Sequence, residues 1–286
     1  MNRLIKTLIY GGEMSLCVMD TTDLVNDAIR IHKLSPLSAA ALGRVLTAAT
    51  FMCAGLKNES DKLSVNVVGD GVGGTITVSG NSALDMRGTI ENPRAELPQR
   101  ADGKLDVGGC VGKNGRLTVV KSMGMKEPYS GSCRLVSGEI AEDFAAYYLY
   151  SEQQPSAFAL GVKIGRDYTC IGAGGVVIQT LPGASDASVE KAEEVMRKFS
   201  SISTLIREKS IEEIIEENFG ECTLEEYTPK YRCLCSREYI GDILKSMGRA
   251  ELEEILTQQG KIAVNCEFCE KNYEFTRKDI EKMFRE

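Results

Sequence analysis

Tyr231-Arg-Cys233-Leu-Cys235-Ser236 and, after thirty intervening residues, Cys266-Glu-Phe-Cys269 decide how this chain is read. A Cys-x-x-Cys turn can aim both sulfurs at one metal ion. Residues i and i+2 of an extended segment point to one face, so Cys233 and Cys235 can supply the other two ligands. Four thiolates suit a tetrahedral structural zinc, with Zn–S near about 2.3 Å and no open coordination position. The bland alternative, four unconnected core cysteines, sits poorly with a segment under about 60 residues, which rarely holds itself together by burial alone. Thiolates are the reactive form of cysteine, and zinc keeps them deprotonated while partly shielding them. Metal binding in such units supplies roughly 10 to 16 kcal/mol, against a typical net domain stability of about 5 to 15. Losing the metal should therefore unfold the segment.

Local signals around the cysteines agree with a small independent piece. Ser236 caps a helix predicted to Met247, a second helix spans about 250–259 with Gly260 past its end, and Thr276 with Asp279 forms a capping box for a last one. Residues 262–275 read as a hairpin. Upstream, residues 186–228 hold twelve acidic and five basic side chains, an excess equal to the whole chain's net charge of −7. Val189, Ala192, Val195, Met196 and Phe199, then Ile211, Ile214, Ile215 and Phe219, fall at helical spacing and predict two amphipathic helices that need a cover.

Residues 1–180 read as one mixed α/β unit. Leu63, Val65 and Val67 alternate with polar neighbours, as do Ile76 and Val78, and Asn114-Gly115 reads as a hairpin turn before a strand at Leu117. Helices are predicted at 23–33, from Pro36 behind a Ser35 cap to about Leu56, and at about 139–151 after Ser137, burying Ile140, Phe144 and Tyr147 or Tyr148. Strands that follow one another without a helix between favour α+β over a doubly wound sheet. The expected organisation is thus a core domain at 1–180, an acidic helical linker at 181–230 and a zinc domain at 231–286.

Composition excludes much. One histidine, His32, rules out His-based triads and multi-histidine metal sites within a chain of 286 residues. Gly69-Asp-Gly71-Val-Gly73-Gly74 matches a dinucleotide-binding spacing but is followed by a strand, so it reads as a hairpin turn. Gly112-Lys113 lacks the rest of a P-loop. His32 reads as a helix C-terminal cation or a packed side chain. Cys17, Cys53, Cys110, Cys133, Cys170 and Cys222 stand singly and read mostly as small buried residues. The stretch 39–56, apolar but holding Arg44, reads as a core helix and not a membrane span. With no secretory leader apparent at the start, ten cysteines point to a reducing cytoplasm. No catalytic constellation is visible, so no enzyme activity is expected.

The cysteine pattern behind an acidic helical stretch and an α/β domain resembles the 33 kDa chaperonin family, redox-regulated heat-shock holdases of bacterial cytosol. Other stretches carry the likeness along the chain: Thr22-Asp-Leu-Val-Asn-Asp-Ala, His32-Lys-Leu-Ser-Pro, Lys126-Glu-Pro-Tyr-Ser-Gly131, Ser137-Gly-Glu-Ile-Ala-Glu-Asp143 and Ser151-Glu-Gln-Gln-Pro155. The resemblance implies that Cys233, Cys235, Cys266 and Cys269 hold one zinc per chain in a reduced, poorly active state. It implies that oxidation pairs Cys233 with Cys235 and Cys266 with Cys269, releases zinc, unfolds the C-terminal region and loosens the linker. The exposed surface then holds unfolding clients without ATP, often as a homodimer, until ATP-dependent folding chaperones take over. Val189, Val195, Phe199, Ile211, Ile214 and Phe219 are the client-binding candidates; a sheet face of the first domain, bared when the linker leaves, fits as well. Two other classes compete: a zinc module for nucleic acid, against which the acidic balance argues, and a thiol-disulfide oxidoreductase using Cys266 and Cys269. No nucleic-acid or membrane partner is expected.

Overall fold

The computed structural model describes residues 2–284; Met1, Arg285 and Glu286, the outermost residues of the expected domains, lie outside the described residues. The chain opens with β1 (Arg3–Ile9) and β2 (Met14–Asp20), then α1 (Thr22–His32) and α2 (Pro36–Cys53). Ser35 caps α2 by accepting the Ser38 N–H, and Pro36 occupies the first turn. Every α2 residue except Pro36 and Arg44 is buried. It is the one helix, among the described residues, apolar and long enough to cross a bilayer, and it serves instead as the core helix that the sequence predicts. Its small residues let a strand and a helix approach closely: a Cβ on Gly43 would come within 2.9 Å of the side chains of Val162 on β8 and Val25 on α1. The buried hydroxyls of Thr47 and Thr50 are satisfied by the carbonyls of Gly43 and Leu46, each at 2.8 Å.

There follow β3 (Lys62–Val68), β4 (Ile76–Asn81), β5 (Asp85–Ile90), a short α3 (Val107–Val111), β6 (Arg116–Ser122), β7 (Tyr129–Arg134), α4 (Ala141–Tyr150), β8 (Ser156–Ile164) and β9 (Cys170–Thr180). The glycine-rich run 69–74 is the loop of the β3–β4 hairpin. Asn114-Gly115 is not a hairpin turn: it leads from α3 into β6, and Asn114 gives its backbone and side-chain N–H groups to Asp70 at 3.1 and 2.7 Å. β6 pairs instead with β3 and β7. Ile140 and not Ser137 stands before α4, at φ 73°, while the Asp143 carboxylate accepts N–H groups from Val136, Ser137 and Ile140 at 2.7, 3.1 and 2.9 Å.

Beyond β9 come α5 (Asp186–Lys198), α6 (Ile202–Glu208), α7 (Ile211–Phe219), β10 (Glu225–Tyr227) and β11 (Lys230–Tyr231). Two helices were expected in this acidic stretch; α6 is a third. One sheet has the order β10-β1-β2-β9-β8, the other β11-β5-β4-β3-β6-β7. The inner core joins α2 to both sheets. On its other side the first sheet is covered by α5, α6 and α7, which bury Phe199, Ile202, Ile206, Ile211, Ile214 and Ile215 against Ile5, Leu16, Val18, Val176 and Ile178. Being buried on both faces, β1, β2 and β9 lack the alternation of a half-exposed strand. Glycine allows the close fit: a Cβ on Gly172 would lie 2.3 Å from the Ser203 carbonyl oxygen of α6.

The chain divides into two compact units, with the boundary between Tyr231 and Arg232, so α5 to α7 belong to the first. The second holds α8 (Arg237–Met247), α9 (Arg249–Gln259), the hairpin of β12 (Ile262–Asn265) and β13 (Asn272–Phe275), and α10 (Arg277–Met283). The class is α+β.

Candidate metal centre

In the second unit the segment between β11 and α8, without regular structure, carries Cys233 and Cys235, and the very next residue, Ser236, caps α8 by accepting the Tyr239 N–H at 3.1 Å. The β12–β13 connection carries the other pair. There the Cys266 carbonyl accepts the N–H groups of Cys269 and Glu270 at 3.2 and 2.8 Å, and the Cys266 N–H donates to the Lys271 carbonyl at 2.9 Å. Glu270 takes the left-handed conformation, φ 59°, that closes so tight a knuckle.

The four Sγ atoms lie within 4.8 Å of one another. Across the two segments the sulfurs of Cys233 and Cys266 lie 3.7 Å apart and those of Cys235 and Cys269 3.3 Å apart. Four thiolates around tetrahedral zinc at about 2.3 Å would stand about 3.8 Å apart. The donor set and its spacing therefore fit a metal ion, and all four residues are half-buried, as a closed structural site requires.

Tyr273, four residues after Cys269 on β13, was not singled out as a site residue in the sequence. Its hydroxyl lies 3.2 Å from Cys235 Sγ and 3.3 Å from the Cys235 carbonyl oxygen. Burial alone would raise the Cys235 pKa, but hydrogen bonds from Tyr273 and the neighbouring thiols outweigh it and bring the group down to about 7. Burial pushes Cys266 and Cys269 the other way. Within the cluster the sulfurs thus differ in readiness to become thiolates. The buried hydrophobic side chains of this unit, among those described, are Ile240, Leu244, Leu252, Leu256, Ile262, Phe275 and Ile280. Arg237 stacks over Phe275 at 4.4 Å and pairs with Asp279 at 3.2 Å.

The six scattered cysteines belong to the first unit. Cys17, Cys53, Cys110, Cys133 and Cys170 are buried, and burial pushes their thiols up, to about 12 for the first two and about 11 for the others. Cys222 is half-buried against the helices over the first sheet. His32 is a packed side chain near its helix end, with Nε2 3.1 Å from the Tyr231 hydroxyl, which itself donates to the Gly88 carbonyl at 2.9 Å. Phe199, Ile211 and Ile214 are buried, and Val189, Val195 and Phe219 partly so, all six in the layer between the helices and the first sheet.

An α+β body followed by a small unit with four clustered cysteines is the architecture of a protein with a thiol-built metal module. The family model described as Hsp33 protein matches residues 2–276, and the chain belongs to that family. It is 42% identical to a 33 kDa chaperonin of Clostridium perfringens over all of this chain and 92% of the relative. It is 40% identical to that of Clostridium acetobutylicum over 99% of this chain and 97% of the relative. The crystal structure of the 33 kDa chaperonin from Thermotoga maritima superposes with a TM-score of 0.89 at 32% identity, covering 99% of this chain and 98% of that one.

Proposed function

We propose that this chain is a redox-regulated, ATP-independent chaperone of the cytoplasm, with one zinc per chain in its reduced state. Cys233, Cys235, Cys266 and Cys269 would hold the ion, which supplies a cross-link between two segments and keeps the thiolates deprotonated. The observation that carries the reading is that these four sulfurs converge in a unit whose core, among the described residues, has only seven buried hydrophobic side chains. So small a unit depends on its cross-link.

With hydrogen peroxide as oxidant, one thiolate attacks an oxygen, giving a sulfenic acid and hydroxide. Its neighbour's thiolate then attacks that sulfur and displaces a second hydroxide, so each disulfide passes two electrons to one peroxide. Paired as Cys233–Cys235 and Cys266–Cys269, the sulfurs no longer ligate and the unit at 231–286 loses its cross-link. The Cys233–Cys235 ring is small and strained, which favours easy reduction back to thiols. Cys233 stands two residues after β11, so disorder beginning there reaches the segment 181–230 directly. The apolar side chains of Val189, Val195, Phe199, Ile211, Ile214 and Phe219, and the sheet face beneath them, would then hold unfolding clients. An oxidised homodimer and hand-over to ATP-dependent folding chaperones complete the reading, with no catalysis, nucleic acid or membrane involved.

The test is light scattering of a heat-unfolding client mixed with reduced, zinc-loaded or peroxide-treated protein, with released zinc read by a chromogenic chelator in the same samples. Suppression of aggregation only in samples that have lost zinc is the expected result. Zinc release with no effect on aggregation would sink the proposal.

A further inference from the structure

β10 closes the edge of the five-stranded sheet. It runs antiparallel to β1, with Leu4 opposite Tyr227, Ile5 opposite Glu226 and Lys6 opposite Glu225. That pairing spans three of the seven β1 residues, and beyond it Leu8 is 58% exposed. β1 lies between two apolar layers: Leu4 packs in the inner core, whereas Ile5 and Ile9 pack in the layer under α5 to α7. One side chain ties the edge strand to those helices. The Arg3 guanidinium donates to Glu212 of α7 at 2.5 and 3.0 Å and to Glu226 of β10 at 2.6 Å. β10 lies wholly within the segment 181–230, so it leaves the β1 edge if that whole segment comes away.

We propose that the β1 edge then becomes a docking site for an extended segment of an unfolding polypeptide. The segment adds as an antiparallel strand where β10 lay, bonding through its backbone, with alternate side chains on the sheet face that the helices have vacated. The inference deepens the chaperone reading and rests on the linker departure proposed there. The present occupant shows what fits: Glu225 and Glu226 are exposed and only Tyr227 packs inward on the inner core, so the site takes an extended backbone with at most one apolar side chain turned in. Main-chain pairing is indifferent to sequence, and only a chain that has lost its own partners can offer it. The flanking face of Ile5, Ile9, Leu16 and Val18 adds apolar contact to every second residue. A second copy fits less well, because β1 against β1 would bring two sets of Arg3 and Lys6 together.

The test is hydrogen exchange by mass spectrometry on the full chain, with carboxymethylated α-lactalbumin as a permanently unfolded client. The edge-facing amides of residues 3–9 are expected to exchange at least tenfold faster after peroxide and to slow again at least tenfold when client is bound. A ten-residue peptide of alternating valine and threonine should compete with the client at least tenfold better than the same peptide N-methylated at every residue. Held client with residues 3–9 still fast, or equal competition by the two peptides, overturns strand addition and leaves the chaperone reading intact. Protection regained on concentrating the oxidised protein without client assigns the edge to a second copy and also overturns it. If residues 3–9 and 186–219 stay protected after peroxide, the linker never left, and the chaperone reading fails first.

Discussion

Around α2 the first unit buries side chains from both sheets and three further helices into one continuous core, while the second unit buries seven and gathers four sulfurs. Burial of apolar area is insensitive to oxidants and to metal supply; thiolate ligation depends on both. A chain that places its stability in these two forms can lose one unit and keep the other. The helices α5 to α7 stand between the two cases. They belong to the first unit, yet they cover its sheet with an apolar layer separate from the α2 core.

The sharpest way to break this contrast is to remove one ligand. Cys269→Ser should cut zinc affinity by at least roughly a hundredfold and, in metal-free buffer, leave residues 232–284 unfolded, because binding of about 10 to 16 kcal/mol is what folds units of this kind. Amide exchange should show full loss of protection there. The urea midpoint of the first unit should hardly move; parallel loss of both units would show that their stabilities are not separable.

A core truncation should do the reverse. Leu46 is fully buried on α2, and Leu46→Ala should destabilise the first unit by roughly 3 kcal/mol through lost contacts and a residual cavity. Zinc affinity, measured by chelator competition, should stay within twofold of the parent.

pH separates the thiols in the same way. The folded pKa of Cys17 is raised to about 12 by burial from an ordinary value of 9. The folded state therefore keeps its proton where the unfolded chain has lost it. This contribution is fully present below about pH 9 and is lost as pH rises towards about 12. At pH 10 the loss is about 1.4 kcal/mol for this residue. Urea unfolding of the first unit at pH 7, 9 and 10 should show the decline, and Cys17→Ala should make it shallower by about 1.4 kcal/mol at pH 10, the other buried thiols keeping their share. An unchanged slope in the variant would mean that Cys17 does not titrate on unfolding.

How much of this could be read beforehand depended on whether a signal was local. The paired cysteines, the Ser35, Ser236 and Thr276 caps and the alternation of β3 and β4 are written in a few adjacent residues, and each fell where it was expected. β1, β2 and β9 gave no period because both of their faces are buried. α6 is only seven residues, and β10 and β11 are three and two, too short for a pattern and held in place by distant partners such as β1 and β5. Asn114-Gly115 misled because its ordinary hairpin chemistry was satisfied by Asp70, forty-four residues earlier in the chain. Tyr273 belonged to the expected hairpin, but only folding shows its hydroxyl beside Cys235.

That hydroxyl gives the finest test of the contrast, since it asks whether the metal unit also relies on ordinary protein hydrogen bonds. A donor to a metal-bound thiolate withdraws charge from sulfur, making it a weaker nucleophile and the site tighter. Tyr273→Phe keeps the ring against the hairpin and removes only the oxygen. Zinc affinity should fall about tenfold, and peroxide-driven zinc release, followed by the chelator, should quicken severalfold while the melting of the first unit is unchanged. If affinity and rate both match the parent, the hydroxyl is spent on the Cys235 carbonyl 3.3 Å away. The four cysteines would then set the unit's response to oxidant by themselves, and the division between a buried body and a thiol-held appendage would be cleaner still.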